Sequence, residues 1–500
     1  MMFPIAEKAA TGATQTTRRW IVAAALPLAM LAESATASGD VSVKPEFWWG
    51  AAALDVRDAN FGAGAPDYRD PTRVIGPSAS WTEFAARPGL RIAAPLGSGY
   101  VEARLTAVGA ATRGSGDAQL YSFTVGRPSK IAIEEAHLRW SSGNTFSGLG
   151  NNAIEVTVGP QEFSVGDSFL VGQGTVNAGR KAASWLIPRV AFAGPMTLRI
   201  NTAPVRVDFF ALGNRSNQKD VAGLDLPKTH FRGVNVEWFT GGNNARFKYE
   251  ERVQYVGLLH MQVHRAEEAG LFPGDPNALG AHRTGLRVTS LRAGMFETPR
   301  LPSLSVFAEL ARQTNGAAGR RVDARAYNAE VGWTFDAWPW KPRLLARVAR
   351  YSGDADPADE IDRSWDPMFF GANAARNYGA TVHGEIVGQG FAFNSNLRMR
   401  SFGVQLQPVN ELRLYLLHYR FQWDQPAQFG GSARDLASET NLLAEWQTRG
   451  GTIFYAGFAT AQPRTGAGEF FSAFGNAVQA PLAPADRHIR RAHLGITQQF

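Results

Sequence analysis

Polarity in this chain alternates every second residue, segment after segment, almost throughout the portion that follows its first apolar stretch. Between Tyr100 and Ala107, Val101, Ala103, Leu105 and Ala107 fall on one face, with Glu102, Arg104 and Thr106 on the other. Successive side chains of a strand point to opposite faces, so a period of two gives a dry face and a wet face. Glu135, His137 and Arg139 alternate with Ala136, Leu138 and Trp140, and Arg206 and Asp208 alternate with Val205, Val207 and Phe209. Asn235 and Glu237 are interleaved with Val234, Val236 and Trp238. Arg246, Lys248, Glu250, Arg252 and Gln254 share a face opposite Phe247, Tyr249, Val253 and Tyr255. These are amphipathic strands.

The connections alternate as well. Short turns are expected at Pro95 to Gly99, Ser142 to Asn152, Thr202 to Pro204, Gly241 to Ala245, Gly294 to Pro302, Ala337 to Lys341, Pro408 to Glu411 and Arg449 to Gly451. Longer polar segments fall at roughly 56–79, 110–130, 160–185, 213–231, 264–282, 312–324, 352–390, 424–437 and 461–488. Eight turns and nine loops join 18 strands and leave both termini on the short-turn side. That is the even-stranded antiparallel plan of an outer-membrane β-barrel, with short periplasmic turns and long extracellular loops. A soluble β-helix or propeller would show a fixed-period repeat, and none is visible. The strands near Asn394 to Leu406 and Leu412 to Trp423 do not reveal which face turns inward.

Composition agrees. A mean hydropathy of -0.20 argues against a bundle of membrane helices but is compatible with a barrel, whose polar lumen offsets its apolar exterior. With no cysteine, disulfide frameworks, thiol nucleophiles and iron–sulfur clusters are excluded. Lys8, Arg18 and Arg19 precede the apolar stretch Trp20 to Leu31, and Ala35-Thr36-Ala37 offers small residues to a signal peptidase. A Sec-type signal over residues 1–37 and a barrel over 38–500 are therefore expected, placing the protein in the outer membrane of a Gram-negative cell. Tryptophans near strand ends, namely Trp48, Trp49, Trp140, Trp238, Trp333, Trp338, Trp340 and Trp446, suit the aromatic girdles of an interface. Phe500 ends the last strand on the face of Ala492, Leu494 and Ile496, as expected of an assembly signal read by barrel-assembly machinery.

Chemistry other than transport has little support. No H-E-x-x-H, G-x-S-x-G or G-x-x-x-x-G-K run occurs, so no enzyme, catalytic residue or cofactor is expected. His260 and His264 on one strand would stand about 13 Å apart, too far to share a metal. The acidic run around Asp354, Asp356 and Asp359 lacks the glycine and distal glutamate of an EF-hand and reads as a solvated loop, so no metal site is expected. Basic residues are dispersed, with no motif for nucleic acid.

Several short motifs point to a family. Ser352-Gly353-Asp354 is followed by Trp365-Asp366-Pro367-Met368-Phe369, and Glu135-Ala136-His137-Leu138 by Val158-Gly159-Pro160-Gln161-Glu162-Phe163 and Gly166-Asp167. In these runs the chain resembles the alginate-export family of outer-membrane barrels, with Pro160 where that family has arginine and His137 where it has tyrosine. The resemblance implies an 18-stranded monomeric pore for an acidic polysaccharide and a possible periplasmic export scaffold.

A barrel of this size is wide enough for an aqueous channel, so its inward side chains set selectivity. Alternation assigns Arg104, Glu135, His137, Arg139, Arg199, Arg206, Asp208, Arg252, Arg287, Arg343 and Arg347 to the lumen. Of 51 basic residues only 8 are lysine, and guanidinium presents a planar two-pronged donor to carboxylates. The same residues would equally serve as mutually neutralising ladders that brace the wall. The glycine-rich segment Pro160 to Leu186, with Asp167, Arg180 and Lys181, is the candidate constriction loop. A passive channel for hydrophilic anionic solutes follows, with acidic uronate-type polysaccharide or its oligomers as the leading solute and small organic acids as the alternative. Outer-membrane lipid is the other expected partner.

Overall fold

A computed structural model describes residues 41–67, 70–114, 124, 126–174, 182–215, 228–241, 252–267, 283–298, 300–316, 321–356, 358–371, 383–390, 394–477 and 479–500. The expected signal segment, Arg180, Lys181, Arg246, Lys248 and Glu250 lie outside the described residues, as does the side chain of Arg252.

Eighteen strands form the wall. They are β1 (Ser42–Arg57), β2 (Ala79–Leu96), β3 (Gly99–Gly114), β4 (Ser129–Ser141), β5 (Ile154–Val158), β6 (Ala193–Asn201), β7 (Val205–Gly213), β8 (Thr229–Gly241) and β9 (Arg252–Ala266). The second half comprises β10 (Arg287–Thr298), β11 (Leu301–Asn315), β12 (Arg321–Thr334), β13 (Arg343–Tyr351), β14 (Leu397–Val409), β15 (Leu412–Trp423), β16 (Asp435–Gln447), β17 (Thr452–Pro463) and β18 (Ile489–Gln499). Each pairs antiparallel with its neighbours in sequence, and β1 pairs with both β2 and β18, so the sheet closes on itself. Closure satisfies both edges of every strand, which hydrocarbon demands because it offers no water to an unpaired backbone group.

Outside, the wall is apolar: Leu105, Leu138, Leu310, Leu442 and Leu494 are all more than half exposed. Trp238, Trp333, Trp338, Trp340 and Trp446 are exposed near the short-turn end, forming one girdle. Trp48 departs from that expectation and packs against the interior cluster, because it shares the inward parity of Leu54 and Val56.

Three other readings change. The segment expected as a long loop at 312–324 is mostly strand, since β11 and β12 are joined by residues 316–320 alone. The polar segment 461–488 contains a helix, α1 (Thr465–Ala477), whose Phe470 and Phe471 pack with Trp423, Phe429 and Phe61. On β9 the faces are reversed: Tyr255, Leu259, Met261 and Val263 turn inward, while Gln254, Val256 and Leu258 face out. The same doubly apolar character hid the facing of β15, whose Tyr415, Leu417, Tyr419 and Phe421 point inward. On these strands the interior is filled by folded-in chain, so the inward face is dry.

Candidate functional site

Arginines and carboxylates on adjacent strands interlock along the inner wall. Glu46 on β1 accepts from Arg91 and, at 2.9 Å, from Arg104; Arg104 also donates to Glu135 at 3.1 Å. Arg139 lies 3.5 Å from Glu102, and Arg87 donates to Glu162 at 2.7 Å. Further round, Asp208 accepts from Arg199 at 2.6 Å, from Arg206 at 3.2 Å and from Asn235 at 3.0 Å. Arg292 donates to Glu237 at 2.6 Å, and Arg347 pairs with Glu330. Register makes this possible, because Arg91 stands opposite Arg104, and Glu102 opposite Arg139.

The arginines fall into two groups by depth. Arg87, Arg91, Arg104, Arg139 and Arg199 keep about a fifth to a quarter of the side chain exposed (18, 21, 20, 25 and 25%). Their partners Glu135 and Asp208 are 1% exposed, and Glu102 5%. In the pairs of Arg91, Arg104, Arg139 and Arg199 the guanidinium is thus the more exposed partner, whereas Glu162, which pairs with Arg87, is 41% exposed. Arg206, Arg292, Arg347 and Arg491 are instead sealed, at 7, 0, 3 and 1%. They brace the wall.

Two segments fold into the barrel from its long-loop end, each tied down by an inward carboxylate that accepts backbone N–H groups. Glu83 on β2 takes those of Trp185 (2.9 Å) and Leu186 (3.1 Å). Glu134 on β4 takes those of Val190 and Ala191, both at 2.7 Å, and the Nε of Arg189 at 3.1 Å. A register shift after Thr106 lets Glu134 and Glu135 both be buried, which strict alternation forbids. Glu439 on β16 takes Glu385, Ile386 and Val387, and Arg491 on β18 pairs with Glu385 at 2.7 Å.

These segments meet inside the barrel. Phe369 accepts from the N–H groups of Gly172 (2.9 Å) and Gln173 (3.0 Å) and donates to Leu170. Its ring stacks on Phe231, with centroids 4.5 Å apart, and meets Phe192 edge-on. Asp366 accepts two bonds from Arg283, at 2.5 and 2.6 Å, while the Arg283 guanidinium also lies over the Phe369 ring. Arg283 is buried, so Arg283→Met, which removes one member of a desolvated pair, is expected to destabilise the fold by about 3 kcal/mol and lower the temperature at which heat-modifiable gel mobility is lost.

The positions that carried the family resemblance are neighbours in space. Ala136 donates to the Pro160 carbonyl at 3.1 Å, and His137 Nδ1 lies 3.3 Å from the same oxygen. Gly353 approaches Asn396 so closely that a Cβ would stand 1.8 Å from its Oδ1. Asp354 is buried, while Asp356 is exposed and Asp359 half-buried, so the run is solvated apart from its first carboxylate; Asp354 accepts from the Asp356 N–H, and Arg363 lies 3.5 Å away. Among the described residues no group of three His, Asp or Glu is placed to hold a metal. At the loop base, Asp424 is shielded from water, which opposes ionisation, but bonds from Arg350 (2.7 Å) and Arg398 (2.6 Å) hold its carboxyl below the ordinary range. A depressed carboxyl stabilises the fold fully above the unfolded value of about 3.9 and loses that contribution as pH falls through the folded one. Asp424→Asn should therefore cost stability at pH 7 and make little difference at pH 2, measured by denaturant titration at both.

Of the residues assigned to the lumen from alternation, Arg104, Glu135, His137, Arg139, Arg199, Arg206, Asp208, Arg343 and Arg347 lie on inward-facing positions. Arg287 does not. It is exposed on the outer wall with Thr289 and Leu291, because Val288, Ser290 and Arg292 take the inward parity, and Arg292 is the inward arginine of β10. In the first infolded segment Asp167 is half-buried between Val165 and Ser168. In the second, the carbonyl of the motif proline Pro367 accepts from the Phe370 N–H at 3.1 Å. Arg180, Lys181 and the Arg252 side chain lie outside the described residues. Phe500 closes the seam, donating its N–H to the Phe47 carbonyl at 2.8 Å, with its ring exposed on the outer wall. Alternation missed Glu83, Glu134 and Glu439, whose role is to hold chain rather than to face water.

A closed 18-stranded antiparallel barrel with an apolar exterior, a charged inner wall and infolded loops is an outer-membrane protein of porin architecture. Residues 282–459 match the alginate-export family. Among solved structures, Pseudomonas aeruginosa OpdK with vanillate aligns over 91% of this chain and 98% of its own at 9% identity, with a TM-score of 0.51. Pseudomonas aeruginosa OccK1 (OpdK) aligns over 91% and 98% at 10% identity, with a TM-score of 0.50. At such identities the likeness is one of fold. No curated protein matches the sequence.

Proposed function

We propose that this protein is a passive, non-enzymatic channel for anionic solutes, with uronate-type oligosaccharides or an acidic polysaccharide as the leading cargo. The observation that carries the reading is the layering of part of the inner wall, where Arg91, Arg104, Arg139 and Arg199 are each more exposed than the carboxylates they pair with, Glu46, Glu102, Glu135 and Asp208. A carboxylate passing this strip exchanges water for charge-assisted bonds at successive positions, each weak enough to release it. The alginate-export match over residues 282–459 supports a uronate.

Small organic acids are the second reading. It is favoured by the contact of the two infolded segments at Leu170 to Gln173 and Phe369, which narrows the route. Vanillate, present in the OpdK structure, is an acid of that size. Planar-bilayer recording under a salt gradient, with oligouronates and with small carboxylates, separates the readings. Anion-biased reversal with oligouronate block supports the first, and block by small acids alone the second. Cation bias without block by either would defeat both. The amino-terminal signal is part of the same proposal: the mature chain should begin at Ser38, which amino-terminal sequencing of outer-membrane protein reads directly.

A further inference from the structure

A pair of arginines faces the membrane instead of the lumen. Arg400 on β14 and Arg420 on β15 stand directly opposite each other in the register. Both are exposed on the outer face, which they share with Phe402 and Leu416 (55 and 52% exposed), while Met399, Tyr419 and Phe421 turn inward. Each sits three residues inside the long-loop end of its strand, roughly 10 Å along the wall, where the apolar band gives way to headgroups.

Like charges directly opposite on paired strands repel. Several other arginines of this outer rim are matched with acids, Arg312 with Asp323 at 2.9 Å, Arg57 with Asp55 at 2.9 Å, and Arg350 and Arg398 with Asp424, while the outward Arg232 and Arg287 stand opposite neutral residues and not opposite another arginine. The acids nearest Arg400 and Arg420 in the register are already engaged, Asp424 as above and Asp435 by Gln422 at 2.7 Å. Neither arginine has a carboxylate within 4.0 Å among the described residues.

We propose that Arg400 and Arg420 form a docking site for the phosphate of a phosphorylated glycolipid of the outer leaflet, with its acyl chains lying on Phe402, Leu416 and Val348. The charge complementarity is specific: two adjacent guanidinium planes offer paired donors to phosphate oxygens, and a phosphate between them cancels their repulsion. The apolar side chains below the pair lie where the chains of such a lipid begin.

Native mass spectrometry of the full refolded barrel tests this, with diphosphorylated lipid A, dephosphorylated lipid A and phosphatidylcholine as probes. The native chain is expected to retain diphosphorylated lipid A at least tenfold better than either other lipid. Arg400→Gln with Arg420→Gln should abolish that preference, and Arg312→Gln, whose arginine is already paired, should leave it intact. Heat-modifiable gel mobility verifies that each variant is folded, and Arg400→Lys with Arg420→Lys, which keeps charge but loses the two-pronged geometry, should give intermediate retention. Equal retention of dephosphorylated lipid A, or full retention by the folded Gln variant, would overturn the proposal. So would a dimer of the native chain that the Gln variant dissociates, because the surface would then belong to a second copy.

Discussion

Replacing Arg104, Arg139 and Arg199 together with glutamine is expected to remove anion preference and weaken oligouronate block about thirtyfold. Each guanidinium is partly exposed, so its bond to a passing carboxylate competes with water and contributes roughly 0.5–1 kcal/mol; three such bonds amount to about 2 kcal/mol. Removal also uncovers Glu135, Glu102 and Asp208, their less exposed partners, so the reversal potential should move toward cations rather than merely to zero. Arg347→Gln supplies the contrast. That side chain is sealed against Glu330, and its loss should lower stability while leaving the reversal potential of folded channels near the native value. Unchanged selectivity in the triple variant would mean that the exposed arginines do not read charge.

The second large effect concerns the infolded loops. Glu439→Leu deprives three consecutive N–H groups, those of Glu385, Ile386 and Val387, of their acceptor. Leaving buried donors unsatisfied costs about 1–3 kcal/mol each, which loosens a segment then held by the Arg491–Glu385 pair and the burial of Ile386 and Val387. Single-channel conductance should rise severalfold, and protease added on the loop side should cut near residues 383–387 in the variant only. A channel of native conductance and native protease resistance would show that the loop does not limit flow.

Much of this architecture could be read from polarity alone. Strand number, connection order and the inward facing of Arg104, Arg139 and Arg199 follow from a period of two wherever one face meets lipid and the other water. The pattern fails where the lumen is filled with protein. Leu259 and Met261 face packed chain, as do Tyr419 and Phe421, and Tyr255 packs on the wall aromatics Phe239, Phe296 and Phe307, leaving both faces of their strands apolar and the parity ambiguous. Arg287 failed for the converse reason: near the headgroups the outer face becomes polar, and arginine there looks like arginine in a pore. Glu83, Glu134 and Glu439 were invisible as anchors, because their partners are backbone amides of distant loops and leave no side-chain signature.

The seam between β1 and β18 also orders events in time. β1 can pair with β2 as soon as that strand is made, but its other edge is complementary only to residues that emerge last. Until Ile489–Gln499 arrives, every partly assembled sheet carries an open edge at each end, able to template pairing with other chains. Shielding that first strand while the rest of the chain crosses the periplasm is thus a demand of the topology itself, and the speed of closure sets how long the unfinished barrel is exposed to aggregation.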